Sequence, residues 1–488
     1  MGQLQQTTER NTPRPSLDAV LHPNSIAVVG ASKEPNSQGN KYVRALKEYG
    51  FRGEVYPVNP GLDSSYGLQA YPSLSDVPGP VDYVISAIPA HLVLKLVEEC
   101  VTKGVKGLNL YTARFSETGL AEGSQLERQI AETAKAGGVR VIGPNCMGLY
   151  YPAWGISFRV SFPKESGQVA FISQSGGITQ PMVSRTAARG VYFSKVISYG
   201  NAADVNEAEL MDYFADDPET EIITGYIEGV RDGAGFFKAV SKASRIKPVV
   251  LLKGGLTSAG TRAVASHTAS LAGSEELWST FIKQTGAISA RTMDEMSDIT
   301  IALTLLKPTM GRRTAVLGGG GGESVAAADA CERAGLLVPP IPAYIVASIK
   351  EDAPYTWSMI GNPLDGSVTA GPRLFRLVAD KLARDASVDV IIGNGNSDFS
   401  MDEESSTGSF LDGIRYFIRL KDELDKPLAL VTAVSDITPG WRLKAIQDAY
   451  ALCAEAGVPV FPSMERAANA VGKVIEWRSR KEELEETK

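Results

Sequence analysis

Histidine is scarce in this protein. His22, His91 and His267 are the only three among 488 residues, and they lie far apart. The four cysteines, Cys100, Cys146, Cys331 and Cys453, are equally scattered and form no CxxC pair. This dispersal argues against a protein-ligated metal or a disulfide framework, and predicts reduced, buried thiols. Long apolar runs are missing too, and none approaches the roughly 20 residues of a membrane span. The opening stretch MGQLQQTTERNTPRPS lacks the apolar core of a signal peptide, so the expected compartment is cytoplasmic, with no membrane partner. Basic tracts are absent, and 49 Lys and Arg against 56 Asp and Glu leave a net charge of −7. Nucleic acid is therefore not an expected partner.

Three well-defined motifs are also absent. The turn after the first expected strand contains Gly30 but no G-x-G-x-x-G. The second strand ends in Asn59-Pro60, where an NAD-binding unit would carry an acid for the ribose hydroxyls. Ser175 sits in Ser173-Gln174-Ser175-Gly176-Gly177, with Ser173 replacing the first glycine of a G-x-S-x-G elbow. The run Gly318 to Gly322 is not followed by Gly-Lys-Ser/Thr and so is not a Walker loop. These absences disfavour an NAD-linked oxidoreductase and a serine hydrolase.

What is present is a soluble globular composition, 43% hydrophobic and 22% charged. The length predicts about three domains. Residues 1–16 read as a disordered tail. Short apolar, β-branched strands then alternate with glycine turns and helical patterns, beginning with Ser25-Ile26-Ala27-Val28-Val29-Gly30. The fold class expected is α/β, with three doubly wound domains over 17–153, 154–308 and 309–475, and a charged helical tail over 476–488. Two small-residue turns that open helices, at Gly30 and at Ser173 to Gly177, would aim backbone N–H groups and a helix N-terminus at an anion. Glu228 ends an expected strand, where parallel α/β sheets place their chemistry; a loop acid is otherwise usually just solvated. His267 is expected in a small-residue loop after the strand Pro248 to Leu252. A loop histidine is commonly structural or exposed, but Ser266, Thr268 and Ala269 leave this ring reachable and surrounded by hydroxyls.

From Lys253 to Gly273, the KGG turn followed by SHTASLAG resembles the phosphohistidine segment of the nucleoside-diphosphate-forming acyl-CoA synthetases. That family includes succinyl-CoA synthetase and ADP-forming acetyl-CoA synthetase. VVGASKEPNSQGN, VYPVNP, VISAIPA and IGPNCMGLY, in that order, resemble the family's CoA-binding domain. The resemblance covers nearly all of residues 20 to 475. It implies a Rossmann-like CoA-binding domain followed by two flavodoxin-like domains.

By that resemblance, Gly30, Ala31, Ser32 and Lys33 would line the CoA phosphates. Val58 and Asn59 would lie beside the adenosine, Ile88 and Pro89 beside the pantetheine arm, and Asn145 near the thiol. Many relatives carry Lys or Arg just after the Asn-Pro, where Gly61 stands here, so that charged contact is not expected. His267 would carry the phosphoryl group and Glu228 would hydrogen-bond its imidazole. Ser173, Gln174, Ser175, Gly176 and Gly177 would form half of the phosphate cradle, with Gln180 in a stretch that approaches the acyl group in relatives.

The implied activity is reversible formation of acyl-CoA from a small carboxylic acid, CoA and ATP, through an acyl phosphate and a phosphohistidine. No segment matches the family's ATP-grasp module, so the protein is expected to be an α subunit. ATP/ADP and Mg²⁺ would then bind a β subunit in a heterotetramer or larger assembly. The alternative is a catalytically inactive CoA-binding regulatory protein, against which the intact SHTASLAG and Glu228 speak.

Overall fold

Ser25–Val29, Tyr83–Ser86, Gly107–Leu110 and Arg140–Ile142 are short strands buried almost throughout, as strands covered by helices on both faces must be. We describe them from a computed structural model, which covers residues 14–268, 274–352, 360–369, 371–395, 402–433 and 440–486. With Glu54–Val58 they form a five-stranded parallel sheet. Its spatial order is Glu54–Val58, Ser25–Val29, Tyr83–Ser86, Gly107–Leu110, Arg140–Ile142. The first and third strands in sequence are therefore neighbours. Helices leaving them depart to opposite faces, which opens a crevice at their C-terminal ends. Val84, Val97, Leu108, Ile130 and Val141 are among the residues that fill the core of this fold.

A second sheet repeats the plan. Its order is Ile288–Ala290, Val249–Lys253, Ile222–Ile227, Val169–Ser173, Phe193–Ser198, so again the first and third strands in sequence are neighbours. A sixth strand, Gly148–Tyr150, lies before the expected boundary at 153. It pairs antiparallel with Phe193–Ser198 at the sheet edge.

The third sheet runs Thr314–Leu317, Val390–Asn394, Leu428–Val431, Val460–Phe461, all parallel. Its core includes Leu317, Val378, Ile391, Phe417, Leu430 and Ile446. In the same part of the protein, Asp298 is 1% exposed and accepts from Arg189 Nη1 at 2.6 Å and Arg466 Nε at 2.6 Å.

Contacts divide the polypeptide into two compact units. One holds the first two sheets, Met1–Ser184 with Tyr192–Ser289, and the other holds Arg185–Val191 with Ala290–Lys488. The α/β class with doubly wound, flavodoxin-like sheets agrees with expectation. One local element differs. The segment expected as a loop up to His267 is an α-helix, Ser258–Thr268. Thr257 starts it, its Oγ1 accepting from Gly260 N at 3.1 Å and its carbonyl from Thr261 N at 2.7 Å. Ala259, Ala263 and Ala265 then favour continuation over a loop. The backbone of His267 lies in this helix. The His267 imidazole and residues 269–273 lie outside the described residues.

Among the described residues, no helix is long and apolar enough to cross a membrane. All four cysteines are buried free thiols, and burial pushes the pKa of each upward.

Candidate functional site

Both predicted anion sites fall at the crevices created by strand order. In the first sheet, Gly30 follows the strand Ser25–Val29 and Ile88 follows its neighbour Tyr83–Ser86. Gly30 has φ +104°, and a Cβ there would lie 2.6 Å from Ala87 O, so the position demands glycine. Asn59 supports this turn from the side: its Nδ2 donates to Ala31 O, and its Oδ1 accepts from Gly61 N at 2.8 Å. Asn40 supports it from the helix, accepting from Ser32 N at 3.1 Å and donating to Ser32 O at 2.6 Å. Val58 is buried at the strand end, and Lys33 is exposed. Ile88 and Pro89 line a cleft of about 860 Å³ with Thr112, Arg114, Thr118 and Leu126.

Asn145 links this cleft to the second crevice. Its backbone is left-handed, φ +60°. Its N–H donates to Thr112 O at 2.9 Å, and its Nδ2 donates to Asn201 Oδ1 at 3.5 Å. Asn201 N donates to Pro144 O at 3.0 Å, while a Cβ on Gly200 would lie 2.1 Å from that same carbonyl. Two residues on, Met147 N donates to Ser198 Oγ at 3.1 Å. A Cβ on Gly176 would meet Met147 Cγ at 2.7 Å, so the turn Ser173–Gly177 and the Asn145 segment are in direct contact.

In the second sheet the crevice lies between Val169–Ser173 and Ile222–Ile227. Ser173 ends its strand, and its Oγ donates to Ser175 O at 2.7 Å. Gly176 and Gly177 then open the helix Gly176–Ala187, whose first turn presents N–H groups and the positive end of the helix dipole. Gln174 ties this turn to the acid: its N–H donates to Tyr226 O at 3.1 Å, and its Oε1 accepts from Glu228 N at 2.6 Å and Gly229 N at 2.9 Å. Glu228 is buried. The Tyr226 hydroxyl donates to its carboxylate, and burial followed by that charge raises the Tyr226 pKa. Gln174 thus joins the Ser173–Gly177 turn to the Glu228 loop.

Several residues at the site are not singled out by sequence. Lys253 is buried and its Nζ donates to Glu228 O at 2.6 Å. Burial lowers its pKa, and the Glu228 charge opposes the shift. Its position at the tip of the strand Val249–Lys253 is the available signal. Glu117, Glu127, Asn201 and Arg231 form a polar network beside Asn145, and no sequence motif marks them. The helix Ser258–Thr268 that includes His267 packs against the turn Ser116–Thr118, on the same network.

Two family descriptions match parts of the polypeptide. The family described as "CoA binding domain" matches residues 24–152, and "Succinyl-CoA ligase like flavodoxin domain" matches 166–303. The sequence is 38% identical, over 77% of its length and 81% of the relative's, to the protein of Pyrococcus furiosus named acetate–CoA ligase [ADP-forming] II subunit alpha. It is 37% identical over 77% of its length to acetate–CoA ligase [ADP-forming] I of Archaeoglobus fulgidus, but spans only 54% of that longer relative. Its structure is similar to dinucleotide-forming acetyl-coenzyme A synthetase 1 of Ca. Korarchaeum cryptofilum, solved in complex with phosphate and ADP. The TM-score is 0.81 at 30% identity, covering 97% of this protein and 99% of the other. With both folds, both crevices and a near-complete relative in agreement, the chain belongs to the ADP-forming acyl-CoA synthetases, a family of acid–thiol ligases.

Proposed function

We infer that this protein is the α subunit of an ADP-forming acyl-CoA synthetase, which passes a phosphoryl group between an acyl phosphate and ADP through His267. The observation that carries this is the run of contacts from the Ile88–Thr112 cleft, through Asn145 and Met147, to the turn Ser173–Gly177 and Glu228.

In the ATP-forming direction, phosphate oxygen attacks the thioester carbonyl and the CoA thiolate leaves, giving an acyl phosphate. The His267 ring nitrogen then attacks phosphorus and the carboxylate leaves. Neutral imidazole is nucleophilic near pH 7, since its unperturbed pKa is about 6.5. The phosphorylated ring carries an anion that the N–H groups of the Gly176–Ala187 helix can bind. Glu228, fixed by Gln174 and Tyr226, is assigned to orient the ring and stabilise its charged form. Gly30 to Lys33, Val58, Asn59, Ile88, Pro89 and Asn145 are assigned to CoA.

ADP and Mg²⁺ are assigned to an ATP-grasp β subunit. That assignment is supported by the subunit name of the Pyrococcus furiosus relative and by the extra length of the Archaeoglobus fulgidus relative. The acid is a small carboxylate.

The test is to incubate the protein with [³²P]phosphate and a panel of acyl-CoA thioesters. Acid-labile, base-stable label is expected, absent from His267→Ala, which still binds CoA. Label retained in that variant would overturn the assignment. An inactive CoA-binding regulator would take no label at all.

A further inference from the structure

Glu127 is 4% exposed, yet no ligand-facing role has been given to it. Its Oε2 accepts from Ser116 N at 3.2 Å, Ser116 Oγ at 2.6 Å and Asn201 Nδ2 at 2.9 Å. Its Oε1 accepts from Arg231 Nη2 at 3.0 Å. A carboxylate taken out of water is costly unless charge and lone pairs are both matched, and here four donors match them. The donors arrive from three separate segments.

Ser116 belongs to the turn that packs against the His267 helix. Asn201 follows the strand Phe193–Ser198; its Oδ1 accepts from Asn145 Nδ2, and its Nδ2 also donates to Glu117 Oε2 at 2.7 Å. Arg231 lies three residues beyond Glu228 in the same loop, and its backbone N–H donates to Glu207 Oε1 at 3.3 Å. Glu127 itself is on the helix Ala121–Ala136 of the CoA-binding fold, whose Glu122, Gly123 and Leu126 wall the 860 Å³ cleft.

We propose that Glu127 is a positioning residue for phosphoryl transfer. It pins the Glu228–Arg231 loop and the turn beneath the His267 helix to one point on the back wall of the CoA cleft. The acid and the nucleophile approach the phosphate from different segments, so their spacing needs a common support. A neutral side chain cannot serve as well, because Arg231 and the Ser116 and Asn201 donors all converge on one negative charge. The proposal rests on the assignment of His267 and Glu228 made above.

The test uses the full-length protein with [³²P]phosphate and an accepted acyl-CoA. Glu127→Gln should slow labelling of His267 by on the order of 10- to 10²-fold, the scale of an ångström-level misplacement. The acyl-CoA Kd, measured by calorimetry, should stay within about twofold, because the cleft contacts remain; a merely structural role would move both quantities together. Arg231→Met, at a half-exposed site, should give a smaller loss of rate. Arg231→Lys, which keeps the cation, should restore most of it.

Hydrogen–deuterium exchange gives a reading independent of activity. Residues 114–118, 228–232 and 258–268 should exchange faster in Glu127→Gln and in Arg231→Met, with the strands Ser25–Val29 and Val169–Ser173 unchanged. Wild-type labelling rates, a rise in Kd that accounts for the whole loss, or unaltered exchange in those segments would each overturn the proposal. If the parent protein takes no label from any thioester, the activity reading fails, and exchange alone still decides whether Glu127 holds the two segments.

Discussion

Gly39 offers a direct test of how tightly the CoA turn is held. It is the second residue of the helix Gln38–Tyr49, and alanine is ordinarily better than glycine inside a helix by up to about 1 kcal/mol. Here the added Cβ would lie 2.0 Å from Gly30 O, 2.5 Å from Gly30 C and 2.8 Å from Ala31 N. These are backbone atoms, and they cannot rotate away. Gly30 N is bonded to Val58 O at 3.0 Å, Ala31 O takes the Asn59 amide, and Ser32 N is bonded to Asn40 Oδ1. The turn must lift from the helix by more than an ångström, and overpacking of this kind costs about 1–3 kcal/mol. That matches or outweighs the propensity gain, leaving a net destabilisation of up to about 2 kcal/mol.

Function should be lost along with stability, because the displaced atoms are those assigned to the CoA phosphates. We expect Gly39→Ala to raise the CoA Kd at least about tenfold, or about 1.4 kcal/mol. Calorimetry with CoA and urea unfolding measure the two effects. Gly233→Ala is the control: it also lies in the first turn of a helix, but a Cβ there meets nothing within 4 Å. A Gly39→Ala protein with parental affinity and stability would refute the reasoning, since no side-chain adjustment can relieve contact between backbone atoms.

Other outcomes follow from the same geometry. Glu228→Gln should fold normally and slow turnover by about 10²–10⁴-fold; parental turnover would leave Glu228 a mere loop acid. Asp298→Asn should destabilise the second unit by about 3–5 kcal/mol, because buried Arg189 loses its countercharge; a urea midpoint unchanged from the parent would contradict this. Glu207 has a buried Oε2 without a partner among the described residues, and burial raises its pKa. Between the ordinary glutamate value and that raised value the native state holds more protons than the unfolded state, so its contribution to stability falls as pH climbs through this window. Glu207→Gln should therefore gain on the parent as pH rises through the window and show no such gain below it. A difference between the two that is flat with pH would count against the assignment.

The strands and their turns are legible because parallel strands buried on both faces are written as short β-branched runs ended by glycine or an acid. Gly30, Ser173 to Gly177 and Glu228 all follow such runs, and strand order carries them to the two crevices. The His267 segment reads as a loop because Gly255, Ser258 and Gly260 are loop-like residues. The deciding features are the Thr257 cap and the alanines that follow it, a local effect weaker than composition suggests. Glu127, Asn201 and Arg231 are not legible, because 104 residues separate Glu127 from Arg231 and their meeting depends wholly on tertiary packing. Lys253 is visible as a strand end, but its role behind Glu228 needs the neighbouring strand.

The antiparallel strand Gly148–Tyr150 bears on how this protein could be taken apart. Ile197 pairs with Leu149 and Val196 with Tyr150, so the polypeptide leaving the CoA-binding fold is stitched into the next sheet before any linker intervenes. A fragment begun at Trp154 would strip that ladder and present Phe193–Ser198 as an unpaired edge, an invitation to intermolecular pairing. Shuffling the CoA-binding module between paralogues should succeed only with junctions placed upstream of Gly148 or downstream of the whole second sheet.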